Sequence, residues 1–178
     1  MVHHGRANRN RRLENMIEII KRLDNRYTLD FYLTGSARYI EHLKTQAKDV
    51  PRVRFRKPVP FDQIVPMLTN YDIGLYFLQP TGFNVTYNLP NKFFEFIQAG
   101  LMVAIGPSPD MAAIVRQYHC GVVADSFSIQ SMADLLSQLS VIEINEAKQN
   151  SNLASKDLCF EVEQDKLLKI VESLLSPY

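Results

Sequence analysis

The sequence predicts an α/β fold, a doubly wound parallel sheet with helices on both faces. Three observations carry this. Short apolar runs of strand length alternate with stretches whose apolar residues recur at helical spacing. Strand candidates run into polar or glycine-containing groups, His4-Gly5-Arg6 and Thr34-Gly35-Ser36 among them. No internal repeat, low-complexity tract or Gly/Ser linker interrupts the alternation, so residues 1–178 read as a single Rossmann-like domain.

Taken in order, Val2 to His4 is a short first strand. From Leu13 to Leu23, Leu13, Met16, Ile17, Ile20 and Leu23 fall on one helical face. Leu29 to Leu33 is a strand ending at Thr34-Gly35-Ser36, and a helix runs from about Arg38 to Lys48. Val53 to Phe55 is a short strand, Phe61 to Leu68 a short helix, and Tyr71 to Leu78 an apolar strand. A loop from Gln79 to Leu89 leads to a helix that Pro90 opens and Gly100 stops. Proline suits the first helical position, where its missing N–H costs nothing. Leu101 to Ile105 is a buried strand, Gly106 to Pro109 a turn, and Met111 to Tyr118 a helix with Asp110 at its start. Gly121 to Ala124 is the last strand, Ser128 to Leu139 is helical, and the tail from Ile142 to Leu175 forms two more helices.

Composition narrows the function classes. With 178 residues, 46% of them hydrophobic, the chain can bury a full core. Its 20 basic and 19 acidic residues leave a net charge of +1, which gives no general attraction to nucleic acid or anionic membrane. No apolar run approaches the roughly 20 residues of a membrane span. Met1 to Arg12 is polar and basic, without the apolar centre of a secretory signal. Cys120 and Cys159 have no metal or redox spacing, which suits a reducing compartment, and a cytoplasmic location is expected. Cys120 reads as a small buried thiol before a strand. His3 and His4 are adjacent, so on a strand they face opposite ways, and no metal site is expected there.

Ligands of such sheets bind beyond the C-terminal ends of the strands, near the switch in strand order. After the first strand a basic loop carries Arg6, Arg9, Arg11 and Arg12 into a helix N-terminus, where free N–H groups and the helix dipole favour an anion. The bland alternative is a solvated basic loop. Neither Gly-x-Gly-x-x-Gly nor a P-loop occurs, which argues against dinucleotide and ATPase sites. The helix after Pro90 places Asn91, Glu95 and Gln98 on one face, among Phe93, Phe94, Phe96 and Ile97. An ionised carboxylate so placed needs a partner, and a ligand rich in hydroxyl groups would be one. Lys92 lies in the first turn, where the dipole disfavours a cation by roughly 0.3–1 kcal/mol. A bound diphosphate would reverse that sign; a surface lysine that snorkels to water is the alternative.

Pro90, Asn91, Lys92, Phe94, Glu95, Phe96, Ala99, Gly100 and Val103 together resemble the group 1 (GT4) retaining glycosyltransferases of GT-B fold, in their C-terminal half. The resemblance spans Gly5 to about Leu139, with its specific part at Pro90–Val103. It implies that Glu95 bonds the ribose of a nucleotide-diphosphate sugar. It implies that Gly5, Arg6, a second cation (Arg11 or Arg12) and Lys92 serve the diphosphate, with Arg6 and Lys92 stabilising it as it leaves. It further implies a main-chain contact to the base at Val59, although Pro58 stands where the family has glycine; Gly35, at a strand end, and Asn91, on the Glu95 face, are nucleotide-binding candidates by their position. Many members carry a first glutamate eight positions before Glu95 to handle the donor sugar; here that residue is Tyr87. The implied reaction transfers a sugar to an acceptor hydroxyl with retention and needs no metal or other cofactor. The acceptor, a glycan or lipid-linked sugar, would bind through an N-terminal domain absent from this chain, as would any membrane contact. The rival readings are half of a GT-B-fold sugar-nucleotide epimerase and a non-catalytic interaction module.

Overall fold

Six parallel strands form one sheet in the order β3-β2-β1-β4-β5-β6. They are β1 (Val2–Ala7), β2 (Leu29–Gly35), β3 (Val53–Arg56), β4 (Ile73–Tyr76), β5 (Met102–Ile105) and β6 (Gly121–Val123). The chain winds outward from β1 to β3, then returns to pair β4 with the other side of β1, so the switch in strand order lies between β1 and β4. This is a doubly wound, Rossmann-like sheet. The structure, a computed structural model, describes residues 1–175. Residues 176–178 of the expected domain lie outside the described residues.

The helices are α1 (Glu14–Arg22), α2 (Ala37–Gln46), α3 (Ile64–Leu68), α4 (Phe83–Thr86), α5 (Asn91–Gln98), α6 (Pro109–Tyr118), α7 (Ile129–Ser137), α8 (Val141–Asp157) and α9 (Phe160–Leu175). Helix α1 buries Met16, Ile17, Ile19 and Ile20 and packs on α2 and α7. On the other side, α5 buries Phe93, Phe96 and Ile97 against α3, α8, β4 and β5. Gly74 of β4 is what lets α5 approach so closely: a Cβ there would lie 2.3 Å from Cγ of Phe96. Burying side chains such as Phe93 and Phe96 contributes roughly 1.5–3 kcal/mol each. That docking fixes the direction of the first turn of α5, and with it Lys92 and Glu95.

Several boundaries move relative to the sequence reading. Strand β1 continues past His4 to Ala7, because β2 continues beside it and pairs Arg6 with Thr34 and Ala7 with Gly35. Gly5 and Arg6 therefore sit in the strand, not in the loop after it. Strand β4 is shorter than expected at both ends. The segment from Phe61 to Leu68 splits into a 3-10 turn (Phe61–Gln63) and α3. The loop before α5 contains the short helix α4. Pro90 is the residue just before the helix, extended at φ −77° and ψ 147°, and not its first turn.

Asp30 on β2 is buried, and Nε of Arg54 and of Arg56 donate to it at 2.7 and 2.8 Å while the Tyr71 hydroxyl donates at 2.9 Å. Burial alone would raise its pKa; the bonds from Arg56, Tyr71 and Arg54 outweigh it and hold the carboxyl below its usual value. The basic residues of β3 are thereby used to hold β2 and β3 together.

Candidate functional site

At the C-terminal ends of β1 and β4, two cavities flank one buried lysine. Lys92 lies in the first turn of α5, and its Nζ is buried with no hydrogen-bond partner among the described residues. It stands 5.8 Å from the centre of the Tyr76 ring. Burial, then the charge of Arg11, push its pKa down to about 7, with Glu95 pulling the other way. The snorkelling alternative fails here: β1, β4 and α5 close around the stem and keep the ammonium from water. A buried cation-forming group without a partner is the most expensive feature of this region.

Gly5 makes room for it. A Cβ on Gly5 would lie 2.7 Å from the Lys92 Nζ, and the residue has φ 114°, where side chains rarely go. Gly5→Ala is therefore expected to cost about 1–3 kcal/mol of stability in a denaturant titration, besides displacing the ammonium. An unchanged midpoint would show that β1 tolerates a side chain there.

The basic loop resolves into different roles. Arg11 is half-buried, and its Nη1 donates to the main-chain oxygen of Arg6 at 3.1 Å. It faces Lys92 closely enough to lower that pKa. Arg12 is exposed, with a left-handed backbone (φ 46°) that ends the 3-10 turn (Arg9–Arg11). Of the two candidates for second cation, Arg11 is the one beside Lys92. Arg6 is exposed, its stem lying over Gly35, where a Cβ would come within 2.9 Å of the Arg6 Cγ.

Glu95, one turn on from Lys92, holds its Oε2 3.2 Å from Nε2 of His4, and both side chains are mostly buried. His4 also packs edge-on against Phe96. That His4 is the partner of Glu95 follows from α5 docking over β1. Gln98 departs from the expected polar face. Its Nε2 donates to the carbonyls of Ser155 and Leu158 at 3.0 Å each, so it ties α5 to the end of α8 and does not face the cleft. Asn91 is exposed in the first turn.

The first cavity, about 140 Å³, lies on the β2–β3 side and is lined by His4, Gly5, Tyr32, Thr34, Val59 and Met67, among others. The second, about 230 Å³, lies on the β4 side between Asn10, Arg11, Tyr76, Gln79, Thr81 and Asn88. Its Tyr76 had a sequence signal, a polar-tipped aromatic ending an apolar strand; Asn88 had none. Tyr87 is 45% exposed and packs at a tilt against Phe83 with ring centres 4.7 Å apart. A hollow of about 200 Å³ at Met1, Tyr27, Asp72 and Ile144 lies at the opposite, N-terminal ends of the strands.

His3 points the other way from His4. Its Nδ1 pairs with the carbonyl of Leu75 at 2.8 Å, and burial, with Lys92 adding to it, pushes its pKa well below the usual imidazole value. Burial raises the Cys120 thiol to about 11, as expected of a structural cysteine. Among the described residues no three His, Cys, Asp or Glu side chains are grouped to hold a metal, and no helix is long and apolar enough to cross a membrane.

The family model described as Glycosyl transferases group 1 matches residues 1–140. The chain belongs to the group 1 glycosyltransferases. In fold, this glycosyltransferase chain is similar to the C-terminal domain of a glycosyl transferase group 1 family protein, LpcC, from Francisella tularensis. The TM-score is 0.67 at 17% identity, with 84% of this chain and 80% of that one covered. It is similar to WaaG, a glycosyltransferase involved in lipopolysaccharide biosynthesis, with TM-score 0.70, 14% identity, and 99% of this chain against 48% of WaaG covered. Anabaena HepE, solved with UDP and glucose, gives TM-score 0.76 at 13% identity, covering 97% of this chain and 48% of HepE. The chain thus spans about half the length of WaaG and HepE. No curated protein sequence matches it.

Proposed function

We propose that this chain is the donor-binding half of a retaining hexosyltransferase that moves a sugar from a nucleotide-diphosphate sugar to an acceptor hydroxyl. The observation that carries the reading is the buried, unpartnered Lys92 ammonium between two cavities, beside Arg11 and Gly5. A nucleotide sugar is linear, with a diphosphate between its nucleoside and its sugar. The diphosphate then sits at Lys92 and Arg11, with Arg6 reaching it from β1. The base occupies the cavity at Thr34 and Val59, and the ribose hydroxyls bond Glu95, which His4 holds in place. The sugar occupies the cavity at Tyr76 and Asn88. HepE has been solved with UDP and with UDP-glucose, which makes uridine diphosphates the first probes.

The chemistry asked of these residues is electrostatic. As the glycosidic C–O bond breaks, negative charge grows on the leaving diphosphate, and Lys92, charged once the diphosphate is bound, offsets it together with Arg11 and Arg6. No metal is assigned to this step. The acceptor, a glycan or lipid-linked sugar, meets the donor from a second domain, and the reaction belongs to the cytoplasm.

Ligand binding tests the reading directly. Ligand at about 100 times its dissociation constant adds roughly 2.7 kcal/mol of stability, a readily visible melting shift. UDP, GDP or ADP, bare or as sugar conjugates, is expected to produce such a shift in the 178-residue chain. Unchanged melting and NMR spectra with all of them at millimolar levels would overturn it. Transfer to any acceptor is expected only when the second domain is present; enzyme-like turnover by this chain alone would overturn that division of labour.

A further inference from the structure

One lining residue of the β4-side cavity carries an unpartnered atom of opposite kind to the Lys92 Nζ. Asn88, two residues before Pro90, is half-buried. Its Nδ2 donates to the Tyr76 hydroxyl at a long 3.4 Å, while its Oδ1 is shielded from solvent with no partner among the described residues. Buried polar atoms are almost always bonded, so one that is not marks a place where something else supplies the bond. Nε2 of His3 and, apart from its contact with Glu95, of His4 also lack a hydrogen-bond partner among the described residues, but Lys92 and Asn88 ask for different chemistry. The Lys92 Nζ needs an acceptor, which an ionised diphosphate supplies in abundance. The Asn88 Oδ1 needs a donor, which an ionised phosphate lacks and a sugar hydroxyl has.

The lining agrees with a sugar. Beside the apolar Leu78 and Val85, the lining around Asn88 holds Asn8, Asn10, Thr81, Tyr76, Gln79, whose Nε2 donates to the Phe127 carbonyl at 2.6 Å, and one charge, Arg11. No carboxylate lines this cavity, and Tyr87 lies packed against Phe83. Asn88 is the lining side chain whose buried acceptor is open. Resting on the donor-binding reading above, we propose that Asn88 is a specificity-determining residue that accepts a hydrogen bond from a hydroxyl of the donor sugar, and that Tyr76 positions its amide.

The asparagine acts on the sugar and not on the diphosphate, so the two parts of the ligand separate its role from a structural one. The experiment titrates UDP and UDP-glucose calorimetrically into the wild-type chain, Asn88→Ala and Asn88→Asp, with GDP and GDP-mannose run in parallel. Asn88→Ala is expected to weaken the sugar conjugate about tenfold, the worth of one hydrogen bond, and to leave the bare diphosphate within about twofold. Asn88→Asp keeps the acceptor and is expected to retain the preference for the conjugate. A loss shared equally by conjugate and bare diphosphate would make Asn88 a structural or phosphate-facing residue, and no loss in either would leave it without a role; each overturns the proposal. A variant that fails to fold is recognised by its melting curve; Tyr76→Phe, which frees the Asn88 amide, is then expected to lower the conjugate-to-diphosphate ratio, and an unchanged ratio overturns the proposal. If the wild-type chain binds neither of these pairs, ADP and ADP-glucose are titrated in the same way, and absence of binding by all three overturns the donor-binding reading itself, and this proposal with it.

Discussion

Nucleoside diphosphate affinity is expected to fall by up to about tenfold per pH unit as pH rises above 7, and Lys92→Met is expected to abolish that slope along with most of the affinity. In the free protein the lysine, with its pKa pushed down to about 7, is losing its proton over this range. A bound diphosphate stabilises the charged form and raises the pKa, so binding takes up a proton wherever pH lies between the free and bound values. Affinity is therefore highest below pH 7 and declines as pH climbs through that window. The phosphate's own second ionisation, near 6, is complete by then and does not contribute. Nearby groups are Arg11, Glu95 with its partner His4, Tyr76, and His3, whose pKa lies well below the window. Calorimetry in two buffers of different ionisation enthalpy reads the proton uptake directly, and a flat affinity between pH 7 and 8.5 would remove Lys92 from the diphosphate site.

The same lysine should make the empty protein less stable. Its pKa is depressed on folding, so between about 7 and the unfolded value of 10.5 the unfolded chain holds more protons and stability rises with pH. Below 7 both states are charged and the folded state carries the whole burial cost, on the order of a few kcal/mol. Lys92→Met should accordingly melt higher than the wild type at pH 6 while binding worse. Stability lost at a site and affinity gained there is the pattern expected of a group kept for its ligand.

Glu95→Gln is expected to weaken nucleoside and nucleoside diphosphate alike by about tenfold or more, the worth of a charge-assisted bond to hydroxyls, with little change in salt sensitivity. Its melting temperature should change little, because glutamine keeps an oxygen near Nε2 of His4, now 3.2 Å from the carboxylate. Arg11→Ala should do something different, weakening the diphosphate much more than the free nucleoside. A Glu95→Gln variant that melts lower but binds a nucleotide as before would reduce Glu95 to the structural partner of His4.

Much of this was legible in the residues themselves. The alternation of apolar runs and helical faces is a local property, and it determined a doubly wound sheet with its strands in the right places. The run from Pro90 to Val103 carried the family by resemblance, and a lone glutamate and a lysine on a greasy helix marked it as a site. What local pattern could not decide was which polar groups share a space. Arg11 and Arg12 are equivalent as letters; a left-handed turn at Arg12 and the Arg6 carbonyl sort them. Gln98 belongs to the Glu95 face by helical spacing, yet the end of α8 claims it. His4 became the partner of Glu95, and Asn88 a buried acceptor, because α5 packs onto β4 at Gly74 and swings its first turn over the end of β1. Helix and strand periods depend on neighbours a few residues apart, so the sequence determines them. The burial of the Lys92 ammonium depends on three segments meeting, and only the packing of the sheet brings them together.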